Sequence, residues 1–258
     1  MISELVRTLK QMVNPFVYLP MIVVAIVAIF LEAITNNYLN DMLMDLALYS
    51  EFVTIDIVAI LFTYWPTILI LICASIISFF TIIVASIIVA RIAKGQGILK
   101  AVNDSMMEFS KSFYAAIYIL VILFLFVIVG GTLNVGLDFI YSLAPSEQLL
   151  NLISLVIAPL LFFVLGLAIL IKTIFTIPAL TEGNIKEAIG KSFSFTNNKL
   201  IKSIVFMGLV VIVYSIINYI ALLLSSLVTV GGLDLLTYSI IEIIGNTFFV
   251  LAISNYYF

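Results

Sequence analysis

Six long runs of apolar residues follow one another along the chain, separated by shorter polar segments. An α-helix needs about 20 residues to cross the roughly 30 Å of hydrocarbon in a bilayer. The pattern therefore predicts an all-α integral membrane protein, with residues 1–258 forming a single transmembrane domain. The six predicted transmembrane helices are 16–34, 66–90, 113–133, 149–171, 203–228 and 235–257.

Composition supports this class of protein and excludes several others. The 258 residues are 64% hydrophobic and 10% charged, whereas a soluble domain is about 45–50% apolar and about 25% charged. A soluble enzyme, a nucleic-acid binder and a secreted disulfide scaffold are therefore poor interpretations. With no His and one Cys, the chain offers no His/Cys metal site and no internal disulfide. We expect no cofactor, although a carboxylate-only metal site stays open.

The basic residues predict an orientation. All 11 lie in three segments: the N-terminus, the connection between the second and third runs, and the connection between the fourth and fifth runs. The charged residues of the other three connections are all acidic. The positive-inside rule then places both termini in the cytoplasm of a multi-pass protein of the cell membrane. The first run is long and lacks an A-x-A-like cleavage site, so we expect it to be a retained anchor.

Two cytoplasmic segments share one pattern. Residues 97–109 read GILKAVNDSMMEF and residues 184–196 read NIKEAIGKSFSFT, with I-x-x-A-[VI]-x-x-S common to both at an offset of 87 residues. Each has an apolar stripe at helical spacing, which predicts an amphipathic elbow helix lying in the inner interface before a span. Residues 2–13 form a degenerate third copy that Asn14-Pro15 ends.

These elbows divide the chain into possible repeat units 1–90, 91–180 and 181–258. The alternative is coincidence, because any interfacial helix before a span carries such a stripe. The first unit alone has a long outer connection. There, residues 38–49 predict a separate outer interfacial helix, and residues 52–65 predict an extension of the second helix beyond the bilayer.

One acid within the spans is singled out as a candidate polar site. Glu242 lies in the last predicted helix, and no Lys or Arg occurs at its depth. An ionisable residue inside a membrane is costly and is a functional hypothesis by default. The site would be a proton, cation or polar-substrate site, or a clamp that joins the fifth and sixth helices. Its candidate members are Glu242, Asn246, Ser239, Asn218 and Ser215.

The lysines of the elbows predict a cytoplasmic interface. Basic residues beside an inner leaflet attract anionic headgroups, so the expected partners are the bilayer, those headgroups and a cytoplasmic or membrane protein, with no nucleic acid. The candidate residues are Lys100, Lys111, Lys186, Lys191, Lys199 and Lys202.

The segment 177–196, IPALTEGNIKEAIGKSFSFT, carries a resemblance. Its Pro178-Ala179 exit, its acid Glu182, and Ala188 with Ser192 resemble a group of uncharacterised polytopic membrane proteins. These are similar to the membrane domain that precedes some glycerophosphodiester phosphodiesterases. No phosphodiesterase domain is present, so the resemblance implies topology and not that activity. Glu187-Ala188 is a weaker echo of the loop by which ABC permeases meet their ATPases.

No soluble catalytic motif occurs. The chain has no Walker loop, no G-x-G-x-x-G after a strand and no G-x-S-x-G, so we expect no enzyme activity. The favoured function is a non-enzymatic membrane scaffold or accessory subunit with interfacial basic elbow helices. The alternative is a transporter or channel for a small solute, ion or lipid, with its site around Glu242.

Overall fold

The computed structural model describes residues 2–50, 57–143, 166, 169–227 and 233–258. All regular structure in these ranges is helical. A 3₁₀ turn, Pro15–Tyr18, joins the first two helices. The helices are α1 (Ile2–Met12), α2 (Leu19–Ser50), α3 (Ile57–Ala93), α4 (Ile98–Met107), α5 (Phe109–Leu143), α6 (Ile169–Leu180), α7 (Ile185–Leu227) and α8 (Leu233–Tyr257).

Four helices in the described ranges are long and apolar enough to cross a membrane, at Pro15–Met44, Phe62–Ala93, Ile185–Leu224 and Thr237–Tyr257. A fifth becomes possible if α4 and the start of α5, which meet at a bend of 76°, are counted together. The prediction of an all-helical chain with several membrane-length helices is therefore confirmed. Most of the predicted span 149–171 lies outside the described residues.

The first hairpin corrects one expectation. Residues 38–49 do not form a separate helix, because α2 runs without a break from Leu19 to Ser50. Neither Gly nor Pro occurs between Pro20 and Ser50, so no residue there interrupts the backbone ladder. At 1.5 Å per residue its 32 residues span about 48 Å, well beyond the hydrocarbon thickness.

Helix α3 also extends beyond its predicted span. It begins at Ile57, which agrees with the expected extension over the part of 52–65 that the structure describes. Pro66 lies inside it, and the backbone at Tyr64 is non-helical (φ −106°, ψ 17°). A proline cannot donate to the i−4 carbonyl, and its ring crowds the preceding turn. The proline kink thus lies near the start of the membrane-length part of α3, Phe62–Ala93.

The three predicted elbows are all helical. They are α1, α4 and residues 185–198 of α7, and we call them the elbow helices. Asn14 ends the first, where its Oδ1 accepts from the Phe16 N–H at 3.2 Å. The third is continuous with its span except at Lys199, where φ is −133° and ψ is 25°. Gly95, in the turn between α3 and α4, has φ +99°, a conformation that favours glycine after a helix.

The elbow helices lie together at one end of the bundle. Ala93, at the end of α3, accepts hydrogen bonds from Arg7 and Gln11 of α1. Asn255, near the end of α8, donates to α1 as well. Lys94 pairs with Glu182, which follows α6. This end, where α3, α6 and α8 finish, is called the basic end below.

Much of the buried core lies toward the basic end. One cluster joins the last turns of α3 to α2 through Val17, Met21 and Val89, and Leu251 of α8 completes it. A second places Ala188 of the third elbow against Ala179 and Leu180. Aromatic rings of α6, α7 and α8 form a third layer, in which Phe206 and Tyr256 stack at 4.1 Å between centroids. The core thus holds the elbow helices as part of the fold.

Candidate functional site

Each elbow helix buries at least one hydroxyl residue, and the third buries Thr196 as well as Ser192. Thr8, Ser105 and Ser192 are all at most 1% exposed. The Thr8 and Ser105 hydroxyls donate to the carbonyls four residues earlier, at 2.8 and 2.7 Å, and the Ser192 hydroxyl donates to the Lys172 carbonyl. A small residue at this position lets the elbow approach its neighbours closely.

Each elbow also contacts another helix of the bundle. The second elbow is held by Arg91 of α3, and the third by the Lys172 carbonyl of α6. The first elbow contacts the last helix of the chain, because Asn255 Nδ2 donates to Thr8 Oγ1 at 3.0 Å and to Gln11 Oε1 at 2.8 Å. It also contacts the end of α3, where Ala93 accepts from Arg7 and Gln11.

Arg91 is the most buried charge at this end. Its side chain is 6% exposed, and it pairs with Asp104 at 3.5 Å and with Glu108. Lys111 Nζ donates to the other Glu108 oxygen at 2.8 Å. Burial raises the pKa of Glu108, but the hydrogen bond from Lys111 and the charge of Arg91 outweigh it and hold that pKa below its ordinary value. Glu108 is therefore ionised at neutral pH.

The first two elbows turn apolar side chains outward. In α1, Thr8 is buried and Gln11 is half-buried, whereas Ile2 and Val13 of the predicted apolar stripe are 77% and 82% exposed. In α4, Ala101 and Ser105 are buried, while Leu99 and Met107 are exposed. Helix α1 thus docks on the bundle by a mixed face, in which Leu5 and Met12 pack on the core beside Thr8, whereas a soluble amphipathic helix buries its whole apolar stripe.

The predicted interface lysines divide into two groups. Lys111 and Lys191 are held in ion pairs, with Glu108 at 2.8 Å and Glu182 at 3.3 Å. Lys199 lies over the Phe195 ring, 4.7 Å from its centroid. The other three are exposed, and none of the ion pairs among the described residues includes them. They are Lys100, Lys186 and Lys202.

An open groove of about 700 Å³ lies between the third elbow and the end of α8. Its charged walls are Glu182 and Glu187 on one hand and Lys191 and Lys199 on the other, with the Tyr257 ring nearby. The lysines and carboxylates balance, and Lys191 is already paired. The groove therefore has no net attraction for either sign of ligand.

The proposed Glu242 constellation is only partly assembled. Asn246 Oδ1 accepts from the Tyr214 hydroxyl at 3.1 Å, which joins α8 to α7. Glu242 and Ser215 have exposed side chains, and Asn218 and Ser239 are half-buried. Glu242 does not line the groove between the third elbow and α8, the groove between α2 and α3, or the cavity between α2, α3, α6 and α8. The contact found agrees with a clamp between the fifth and sixth predicted helices.

Two residues that contact or line these sites were not predicted from the sequence. Tyr214, the partner of Asn246, lies four residues before Asn218 on the same helix face. Glu32 lines a groove between α2 and α3 with Ser75 and Ser78. Because α2 continues to Ser50, Glu32 is about 20 Å along the helix from Leu19 rather than at the outer end of a short span. Its position in an apolar run was the available signal.

Comparison with known proteins adds no relative. No family model, curated protein or solved structure matches the chain. The resemblance to the membrane domain of glycerophosphodiester phosphodiesterases therefore stays a prediction. The class of protein that the fold defines is a helical chain with four or five membrane-length apolar helices in its described part.

Proposed function

We propose that the chain is a multi-pass protein of the cell membrane, with six spans and cytoplasmic termini, that works without catalysis as a scaffold or accessory subunit. Its elbow helices lie in the cytoplasmic interface, where they bind anionic lipid headgroups. The orientation follows from the 11 basic residues, all on one side of the predicted spans.

The outward apolar side chains of α1 and α4 carry this proposal. Ile2 and Val13 at the two ends of α1, and Leu99 and Met107 on α4, are exposed. Such exposure is unfavourable in water, since burial of apolar area is the main source of stability. The same arrangement is favourable where a bilayer covers those side chains. Lys100, on α4, is placed to reach the headgroups by extending its stem.

The contacts of the three elbows with α8, α3 and α6 at the basic end support the three-unit arrangement. In a pseudo-threefold array each elbow meets the end of the preceding hairpin, and the first elbow meets the last. Asn255 makes that closing contact with α1 across 247 residues of sequence. The shared I-x-x-A-[VI]-x-x-S string and the buried hydroxyls favour the same interpretation.

The test is lipid selectivity. The full chain is reconstituted in nanodiscs of mixed phosphatidylglycerol and phosphatidylcholine and extracted in mild detergent, and the retained lipids are quantified by mass spectrometry. We expect phosphatidylglycerol to be enriched. The triple substitution Lys100→Gln, Lys186→Gln, Lys202→Gln should reduce the enrichment, by about fivefold per lysine at about 1 kcal/mol each.

The matched control replaces the same three lysines by Arg, which keeps their charge. This variant should retain the enrichment. Equal retention of phosphatidylglycerol by the wild type and the Gln variant would refute headgroup binding. Transport through a site at Glu242 has no comparable support among the described residues.

A further inference from the structure

A second cavity lies inside the bundle, between α2, α3, α6 and α8. Its volume is about 220 Å³. Most of its walls are apolar, including Val24, Ile83, Ile177 and Phe249, and no ionisable residue lines it. A charged ligand would be desolvated there without a counter-ion. The cavity therefore suits a neutral molecule.

Two polar groups in these walls are uncommitted. Ser86 is 2% exposed, and its hydroxyl takes part in none of the hydrogen bonds among the described residues. Asn246 accepts from Tyr214 through Oδ1, while its amide nitrogen donates to no described residue. By contrast, the Ser254 hydroxyl donates to the Val250 carbonyl at 2.7 Å. Both residues line the cavity, so each can donate to an acceptor inside it.

We propose that this cavity binds a neutral, lipid-soluble molecule whose carbonyl oxygen accepts hydrogen bonds from Ser86 and Asn246. Several waters would be needed to fill this volume, and each needs two to four polar partners, which the three polar side chains in the walls, Ser86, Asn246 and Ser254, do not supply. The volume exceeds the roughly 150 Å³ of an engineered cavity that holds benzene. It is below the roughly 300 Å³ at which drug-sized pockets begin. The cavity thus fits a single ring or a short chain.

The cavity has a lateral neighbour. Ile82 is 41% exposed and lines both the cavity and the open groove between α2 and α3, which Glu32 and Ser78 also line. Ile82 is therefore the proposed entry point for a ligand dissolved in the membrane, at a distance from the basic end. This route rests on the membrane embedding proposed above, but not on headgroup binding.

The test compares two probes of the same shape. Acetophenone carries a carbonyl where ethylbenzene carries a methylene. The full chain in neutral detergent is titrated with 4-fluoroacetophenone and followed by ¹⁹F NMR, and each unlabelled probe is used as competitor. We expect ethylbenzene to compete about two- to tenfold more weakly, because it lacks the acceptor of a buried hydrogen bond.

Two serine variants of α3 locate the site. Ser86→Ala should weaken 4-fluoroacetophenone binding about two- to tenfold and narrow the difference between the two competitors, because Asn246 is then the remaining donor. Ser75→Ala is the control, since the Ser75 hydroxyl already donates to the Leu71 carbonyl at 2.8 Å and lines only the outer groove. Equal competition on the wild type, or indistinguishable Ser86→Ala and Ser75→Ala variants, would overturn the proposal. Anionic lipid is absent throughout, so failure here leaves the headgroup test untouched.

Discussion

The ion pair between Arg91 of α3 and Glu108 after α4 holds the second elbow in place, and this can be tested by substituting either residue. The guanidinium is 6% exposed, whereas the Asp104 and Glu108 side chains are 29% and 37% exposed. Removing Glu108 leaves a buried cation, whereas removing Arg91 leaves partly exposed carboxylates. Glu108→Ala strands a buried cation whose remaining partner, Asp104, is 3.5 Å away. Arg91→Met leaves carboxylates that water reaches, and Lys111 still holds Glu108 at 2.8 Å.

The magnitudes follow from this asymmetry. Removing one partner of a fully buried pair costs about 3–5 kcal/mol. Glu108 is more than a third exposed, so Glu108→Ala should cost about 2–3 kcal/mol of α4 docking free energy after allowance for solvent screening. Arg91→Met should cost about 1 kcal/mol, the net worth of an intramolecular hydrogen bond. The double variant strands no buried cation, so its cost should be close to that of Arg91→Met alone.

Hydrogen exchange of the α4 amides, followed by mass spectrometry, measures this local opening. A cost of 2–3 kcal/mol corresponds to exchange about 30- to 150-fold faster in Glu108→Ala, against about fivefold in Arg91→Met. The α8 amides serve as an internal reference, because neither substitution touches that helix. Faster α4 exchange in Arg91→Met than in Glu108→Ala would refute the account, since it would mean that the carboxylates, not the guanidinium, are the poorly solvated partners.

Two further outcomes are expected. The pKa of Glu108 is lowered on folding, so its contribution to docking is complete above the ordinary value of 4.5 and is lost as the pH falls through the lowered value. Cleavage of residues 94–109 by an acid protease should therefore accelerate below about pH 4.5 in the wild type. Glu108→Ala should show no such acceleration. A wild-type cleavage rate that does not change with pH in this range would contradict the lowered pKa of Glu108. At Gly245 an added Cβ would lie 3.2 Å from Tyr214 Cε2, so Gly245→Ala should lower the Tm through overpacking of about 1 kcal/mol. Gly208→Ala, which meets nothing within 4 Å, should leave the Tm unchanged or raise it.

The sequence predicts this fold where run length alone decides. A membrane helix needs only enough consecutive apolar residues, so four of the predicted spans overlap helices of membrane length. The elbows follow equally well from helical spacing. The end of a helix is harder to predict from the sequence, as α2 shows by continuing without a break through residues 38–49. Deciding that point needs knowledge of the depth at which the chain leaves the bilayer, and hydropathy does not supply it.

Contacts between helices are harder to predict for a separate reason. In a soluble protein an apolar stripe marks the buried face, because the other side meets water. In a membrane both the lipid and the protein interior are apolar, so the stripe does not distinguish them. Helix α1 shows the consequence, since Val6 and Leu9 of its stripe are exposed and Thr8 is buried. The same ambiguity hid Tyr214 as the partner of Asn246.

The shared string of the elbows acquires a physical meaning from this. Its most buried members are not the aliphatic residues that define the stripe. They are Ala101 and Ser105 in one copy and Ala188 and Ser192 in the other, all at most 1% exposed, whereas Val102 is 37% exposed. Small residues set how closely the elbow meets the neighbouring helix, and in the proposed interfacial position the bilayer would accommodate the large ones. By that criterion Thr8, rather than the apolar stripe, is the feature that relates α1 to the other elbows, and it is also the residue to which Asn255 donates.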